Sequence, residues 1–97
     1  MNRDEFVKNI ESTYTECVDL ILKKNADYAT AVDPFQNFRN ASVVGVSVER
    51  AILVRVMDKI SRISNLLDKE AEVKDESIND TIHDAINYLA ILKEKIK

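Results

Sequence analysis

Asp75-Glu76-Ser77-Ile78-Asn79-Asp80-Thr81-Ile82-His83-Asp84-Ala85-Ile86-Asn87-Tyr88-Leu89-Ala90-Ile91-Leu92 carries the pattern that decides the fold class. Ile78, Ile82, Ala85, Leu89, Leu92 and then Ile96 recur at three- and four-residue steps, and Ile86 widens the stripe. Such a period marks one apolar face of an α-helix. Lys93, Lys95 and Lys97 stand at its far end, where the helix dipole favours cations. The spacing predicts a helix over about 75–95.

Upstream, Ser47 is a good N-cap, and Glu49 follows in a first turn that favours an anion. A second helix is expected over about 48–69. Its first half, with Ala51, Ile52, Leu53, Val54, Val56 and Met57, is apolar on almost every side. From Ile60 through Ile63, Leu66 and Leu67 the apolar stripe narrows. A helix apolar all round is buried all round, which a chain of three helices cannot achieve alone. The wide part is therefore expected at a subunit interface, in a homo-oligomer. The β-branched density over Val43–Val56 also suits strands, and both readings stand at this point. Asp68–Lys74 is a short charged link, so the second and third helices should form an antiparallel hairpin.

The first helix is expected over about 4–24. Phe6, Ile10, Tyr14 (or Thr13), Cys17, Ile21 and Lys24 keep the helical step, with Val7, Val18 and Leu22 beside them. Asn25 tolerates the left-handed conformation and should end the helix. Between 25 and 46 lie most of the irregular signals. Asp33-Pro34 reads as an N-cap followed by proline in the first helical position, so a short helix is expected near 34–40.

These elements make an all-α chain: one helical-bundle domain over residues 1–97, an antiparallel bundle completed by homo-oligomerisation. The composition agrees. The chain has 97 residues, 45% hydrophobic and 32% charged, with one Gly and one Pro, too few turn residues for a sandwich or barrel. The formal charge of −3 and the lack of a basic patch argue against direct nucleic-acid binding. No apolar run reaches the ~18–20 residues that cross a bilayer, so no membrane partner is expected. The acidic first residues do not resemble a signal peptide, and the single Cys17 cannot make an internal disulfide. A soluble protein of a reducing cytoplasm is expected.

Three features could carry chemistry. Glu76, Asp80 and Asp84 are spaced by four, on one face of a continuous helix, where like charges repel. Such a ladder suits a hard cation such as Mg²⁺ bound with a substrate phosphate, or else a solvated acidic face. Arg55, Asp58, Lys59 and Arg62 share a face of the second helix. Asp58 would join the ladder as a metal ligand, or pair with Arg55 and Arg62; Arg62 would alternatively pair with Asp80 or Asp84. Arginine forks also hold phosphates. Third, Tyr28, Phe35 and Phe38 lie in the irregular segment, either stacking on a nucleobase or closing the bundle end. His83, next to Asp84, reads as a surface or hydrogen-bonded residue, and Cys17 as core packing. No Gly-rich phosphate loop, nucleophile triad or zinc-spaced Cys/His set is present.

The segments 24–28 (Lys-Asn-Ala-Asp-Tyr), 33–38 (Asp-Pro-Phe-Gln-Asn-Phe), 55–62 (Arg-Val-Met-Asp-Lys-Ile-Ser-Arg) and 75–88 occur in an order that resembles the small phage and bacterial nucleotide-modification-associated domain. That family is in turn similar to the all-α nucleoside triphosphate pyrophosphohydrolases of the MazG and dUTPase type. The resemblance covers roughly residues 20–92. It implies a nucleotide or nucleotide-derived small molecule as ligand, a phage-encoded protein acting in the host cytoplasm, and Mg²⁺ held by acids on two adjacent helices. On that reading Asp58 and Asp84 are catalytic, and Asp58, Glu76, Asp80 and Asp84 ligate the metal. Arg55, Lys59 and Arg62 steady phosphates, and Tyr28, Phe35 and Phe38 meet the base. The chain departs from the wider signature of Glu-x-x-Glu and Glu-x-x-Asp. Arg55 and Ser61 stand three residues either side of Asp58, and Thr81 stands three before Asp84. Two alternatives to hydrolysis follow. One is a sponge that sequesters a nucleotide-derived immune signal and blocks host anti-phage defence; the other is a helical interaction module.

Overall fold

The computed structural model describes residues 1–27, 33–69 and 77–97, the side chains of 25–27 excepted. Helix α1 spans Arg3–Asp27. The Asn2 side-chain oxygen accepts from the Glu5 N–H at 2.9 Å, giving the first turn its cap. Contrary to the expected stop at Asn25, α1 continues to Asp27, within the usual spread of a helix end.

Asp33 is not the helix N-cap that the sequence suggested: Phe35 holds that position in α2, and Asp33 instead closes the turn before it. Its carboxylate accepts the Phe35 N–H at 3.0 Å and pairs with the Arg39 guanidinium, while its backbone carbonyl accepts from Gln36. Pro34 and Phe35 form that turn, and α2 covers only Gln36–Arg39. The chain then tightens into a 3-10 helix over Asn40–Val44. Gly45 closes it at φ 78°, where only glycine is unstrained, with Val46 donating back to Ala41 at 3.1 Å.

Helix α3 runs Val48–Asp68, and the Ser47 hydroxyl accepts from Arg50 N–H at 3.2 Å as its cap. No strand occurs among the described residues, which removes the strand reading of 43–56. Helix α4 is Ile78–Lys95. It begins three residues later than the spacing suggested, because Ser77 and Asp80 form a capping box: Ser77 Oγ accepts from Asp80 N–H at 3.1 Å, and Asp80 Oδ2 accepts from Ser77 N–H at 3.4 Å.

α4 is the middle element, with α3 packed along it and α1 against it. Two ion pairs give the α3/α4 register. Lys95 meets Glu49 at 3.2 Å and Asp84 meets Lys59 at 3.2 Å, so ten residues forward on α3 correspond to eleven back on α4. The hairpin is antiparallel; the link itself, over 70–76, lies outside the described residues. Ile52 and Val56 of α3, Thr81 and Ala85 of α4, Cys17 of α1 and Phe38 of α2 are buried. Phe38 stands edge-on to Tyr88 with ring centroids 6.1 Å apart. Phe6 and Ile10 continue the Cys17–Ile21 face of α1, yet both are exposed. Among the described residues no helix is long and apolar enough to cross a membrane.

Candidate functional site

A charged cluster of three residues far apart in the sequence forms around Asp84. Asp84 Oδ1 lies 3.6 Å from Lys24 Nζ and Oδ2 lies 3.2 Å from Lys59 Nζ. One carboxylate on α4 thus bridges an ammonium from α1 and another from α3, with its side chain only 17% exposed. The trio carries a formal charge of +1. Lys59 is itself half-buried, whereas Lys24 is open to solvent at the end of α1. Partial burial strengthens each pair relative to a surface contact and makes removal of the shared carboxylate costly.

A second feature borders this cluster. An open, largely apolar groove of about 430 Å³ lies between α1, the Asp33–Phe35 turn and α4, lined by Ile21, Pro34, Phe35, Ala90, Ile91 and Glu94. Its volume falls within the ~300–1,000 Å³ common for small-molecule sites. Lys95 Nζ stands 5.9 Å from the Phe35 ring centroid on one side while pairing with Glu49 on the other. Ile21 and Lys24 are one turn apart on α1, and Ile91 and Asp84 two turns apart on one face of α4. At 1.5 Å per residue the latter separation is roughly 10 Å. Groove and ion cluster therefore share the α1/α4 junction.

The sequence-predicted residues divide between these places. Lys59 and Asp84 are brought together. Phe35 is half-buried on the groove wall, and Phe38 is in the core against Tyr88. Arg55 and Asp58 are exposed on α3, and Arg62 is half-buried. Asp80 is engaged in the α4 capping box with Ser77. Glu76 and Tyr28 themselves lie outside the described residues.

Mg²⁺ needs several oxygen ligands converging on one point. Among the described residues no group of three His, Cys, Asp or Glu stands together as a metal site would require. Asp84 has an ammonium on each oxygen, Asp80 is tied to Ser77, and Asp58 is on the exposed side of α3. The described donors do not fit a Mg²⁺ cage.

Some partners went unread in the sequence. Lys24 was the signal in plain view, a lysine at a core position of the α1 stripe. Asn87 is buried and donates to the Cys17 carbonyl at 3.1 Å, fixing where α1 crosses α4. His83 Nε2 lies 3.2 Å from Glu16 Oε2, on the other side of the same crossing. The Cys17 thiol faces the His83 carbonyl at 3.9 Å. Burial, then the charges of Glu16 and Asp84, push its pKa up and keep it a neutral thiol.

No family model, curated protein or solved structure matches the chain.

Proposed function

We propose that this chain binds a nucleotide or nucleotide-derived small molecule and releases it unaltered. The observation that carries the reading is Asp84 held between Lys24 and Lys59. Three of the four segments on which the family resemblance rests each contribute one member of this cluster, from three different helices. A net-positive trio beside an apolar groove has the two halves a nucleotide needs: ammoniums for phosphate, and Phe35 with Ile91 for a base. Lys24 is the exposed member and is the one a phosphate would recruit. A protein of this kind works as a sponge, lowering the free concentration of a nucleotide signal, and a homo-oligomer would present several such grooves.

Thermal melts against nucleoside triphosphates, cyclic dinucleotides and ADP-ribose derivatives, each with and without Mg²⁺, test this. Ligand at a hundred times its dissociation constant should raise stability by ~2.7 kcal/mol, several degrees for a domain of this size. A shift indifferent to Mg²⁺, with ligand recovered intact after denaturation, is expected. A shift that requires Mg²⁺, with ligand recovered as fragments and hydrolysis lost in Asp84→Ala, would replace binding with pyrophosphohydrolysis. No shift with any nucleotide would leave a helical interaction module, a reading favoured by the exposed apolar residues of α1 and α3.

A further inference from the structure

The groove at the α1/α4 junction holds one charged group to which nothing above gives a role, the Glu94 carboxylate. Ile21, Pro34, Phe35, Ala90 and Ile91 wall the groove with hydrocarbon. Among the described residues that line it, Glu94 alone has a side chain that can hydrogen-bond. It stands seven residues beyond Asn87, two turns on and on the same side of α4. That side meets α1, since the Asn87 amide reaches the Cys17 carbonyl. Along α4 the order is Asp84 with its two lysines, then Ile91 roughly 10 Å on, then Glu94 about 4.5 Å further. A nucleotide lying along the groove has the same order: phosphate, base plane, base edge.

Fold stability gives this carboxylate little reason to be there. It lies in the last turn of α4, between Lys93 and Lys95, where the helix dipole disfavours an anion. It pairs with Lys97 at 3.4 Å, and the two side chains are 58% and 71% exposed, so the pair adds little. Local rules broken without structural gain concentrate at functional sites.

The chemistry of a carboxylate then names the base. It offers two acceptor oxygens and no donor. Guanine presents two adjacent donors on its Watson–Crick edge, N1–H and N2–H, which one carboxylate takes together as a bidentate, charge-assisted pair. Adenine sets its N1 acceptor beside the N6 amine, and cytosine its N3 acceptor beside the N4 amine, so each turns a lone pair on an oxygen. Uracil has one N–H between two carbonyls. We propose that Glu94 is the specificity-determining residue of the groove and selects guanine nucleotides. This rests on the nucleotide reading and names the base that the site takes.

Isothermal titration calorimetry of the full chain with GTP, ITP and ATP, and with cyclic di-GMP against cyclic di-AMP, reads the preference. Each guanine form should bind about tenfold more tightly than its adenine counterpart, the effect of one charged hydrogen bond. ITP keeps N1–H and lacks the N2 amine, so it should fall between GTP and ATP. Glu94→Ala should bring the guanine forms down to the adenine forms. Glu94→Gln, whose amide donates as well as accepts, should narrow the preference by raising affinity for the adenine forms, which loss of a structural residue would not do. Circular dichroism checks that both variants keep their helicity, and Glu94→Gln is read alone where Glu94→Ala does not. Adenine forms bound as tightly as guanine forms by the wild type overturn the proposal and leave the nucleotide reading standing. A guanine preference that survives the Glu94 variants overturns it too. A wild type that binds none of the five ligands removes the nucleotide reading, and the selection of guanine with it.

Discussion

Asn87 of α4 donates its side-chain amide to the backbone carbonyl of Cys17, 3.1 Å away and seventy positions earlier in the chain. That carbonyl lies in the middle of α1, where the helix already uses one lone pair, so Asn87 takes the second. A buried amide with a partner locks the crossing point of two helices more sharply than an apolar contact does.

Replacing Asn87 with Leu should therefore lower stability by about 1 kcal/mol, the net value of one hydrogen bond. Asn87→Asp should cost more than Asn87→Leu, because a carboxylate set against a carbonyl has no proton to give. Chemical denaturation of the two variants checks the order. Equal loss in both would mean that packing, not the bond, holds α1.

The two lysines on Asp84 are unequal, and their variants should separate structure from binding. Asp84→Ala removes the carboxylate that joins α1 to α3 and should cost on the order of 1–2 kcal/mol. Lys24, 55% exposed, contributes less than about 0.5 kcal/mol as a solvated ion pair. Lys24→Ala should thus hardly move the melting temperature while weakening nucleotide binding several-fold. If Lys24→Ala leaves nucleotide binding unchanged, the cluster does not hold the phosphate.

What could be read in advance was local, and what could not was tertiary. Ser47, Glu49 and the Ile78–Leu92 stripe announce α3 and α4 because a cap and a 3.6-residue period need only neighbouring residues. Asp80 shows the limit of such a local reading: its spacing from Asp84 is helical, but its carboxylate also serves Ser77 in the capping box. That Lys59 meets Asp84 follows from the axial register of α3 on α4, which periodicity does not specify. Asn87 looked like any polar helix residue, since its partner is a backbone carbonyl of another helix, invisible to side-chain patterns.

Acid should loosen the chain at the α2 turn. The Arg39 side chain, followed by the Phe35 N–H, holds the Asp33 carboxyl below its ordinary range. Glu49 is lowered as well, first by its own backbone N–H at the start of α3 and then by Lys95. A carboxylate whose folded pKa is depressed stabilises the fold above the unfolded value, about 3.9 for Asp and 4.3 for Glu. That stability is lost as the pH falls through the folded pKa. The melting temperature should accordingly drop below about pH 4. Asp33→Asn should melt lower than wild type at neutral pH and show a shallower acid decline, which a pH series of melts would reveal.

Cys17 titrates in the opposite sense. Burial first, then the charges of Glu16 and Asp84, raise its folded pKa above the unfolded value of about 8.5. Its contribution to stability is complete below that pH and disappears as the pH rises through the folded value. Since the thiolate is the reactive form, the native chain at pH 8 should label with a disulfide reagent far more slowly than the denatured chain. The native rate should rise with added denaturant, because labelling then reports the opening of α1 from α4. Asn87→Leu, which loosens the same crossing, should speed native labelling in proportion to its loss of stability. Native labelling as fast as that of the denatured chain would mean that Cys17 is not covered by α4 in solution, and the α1/α4 crossing would have to be redrawn.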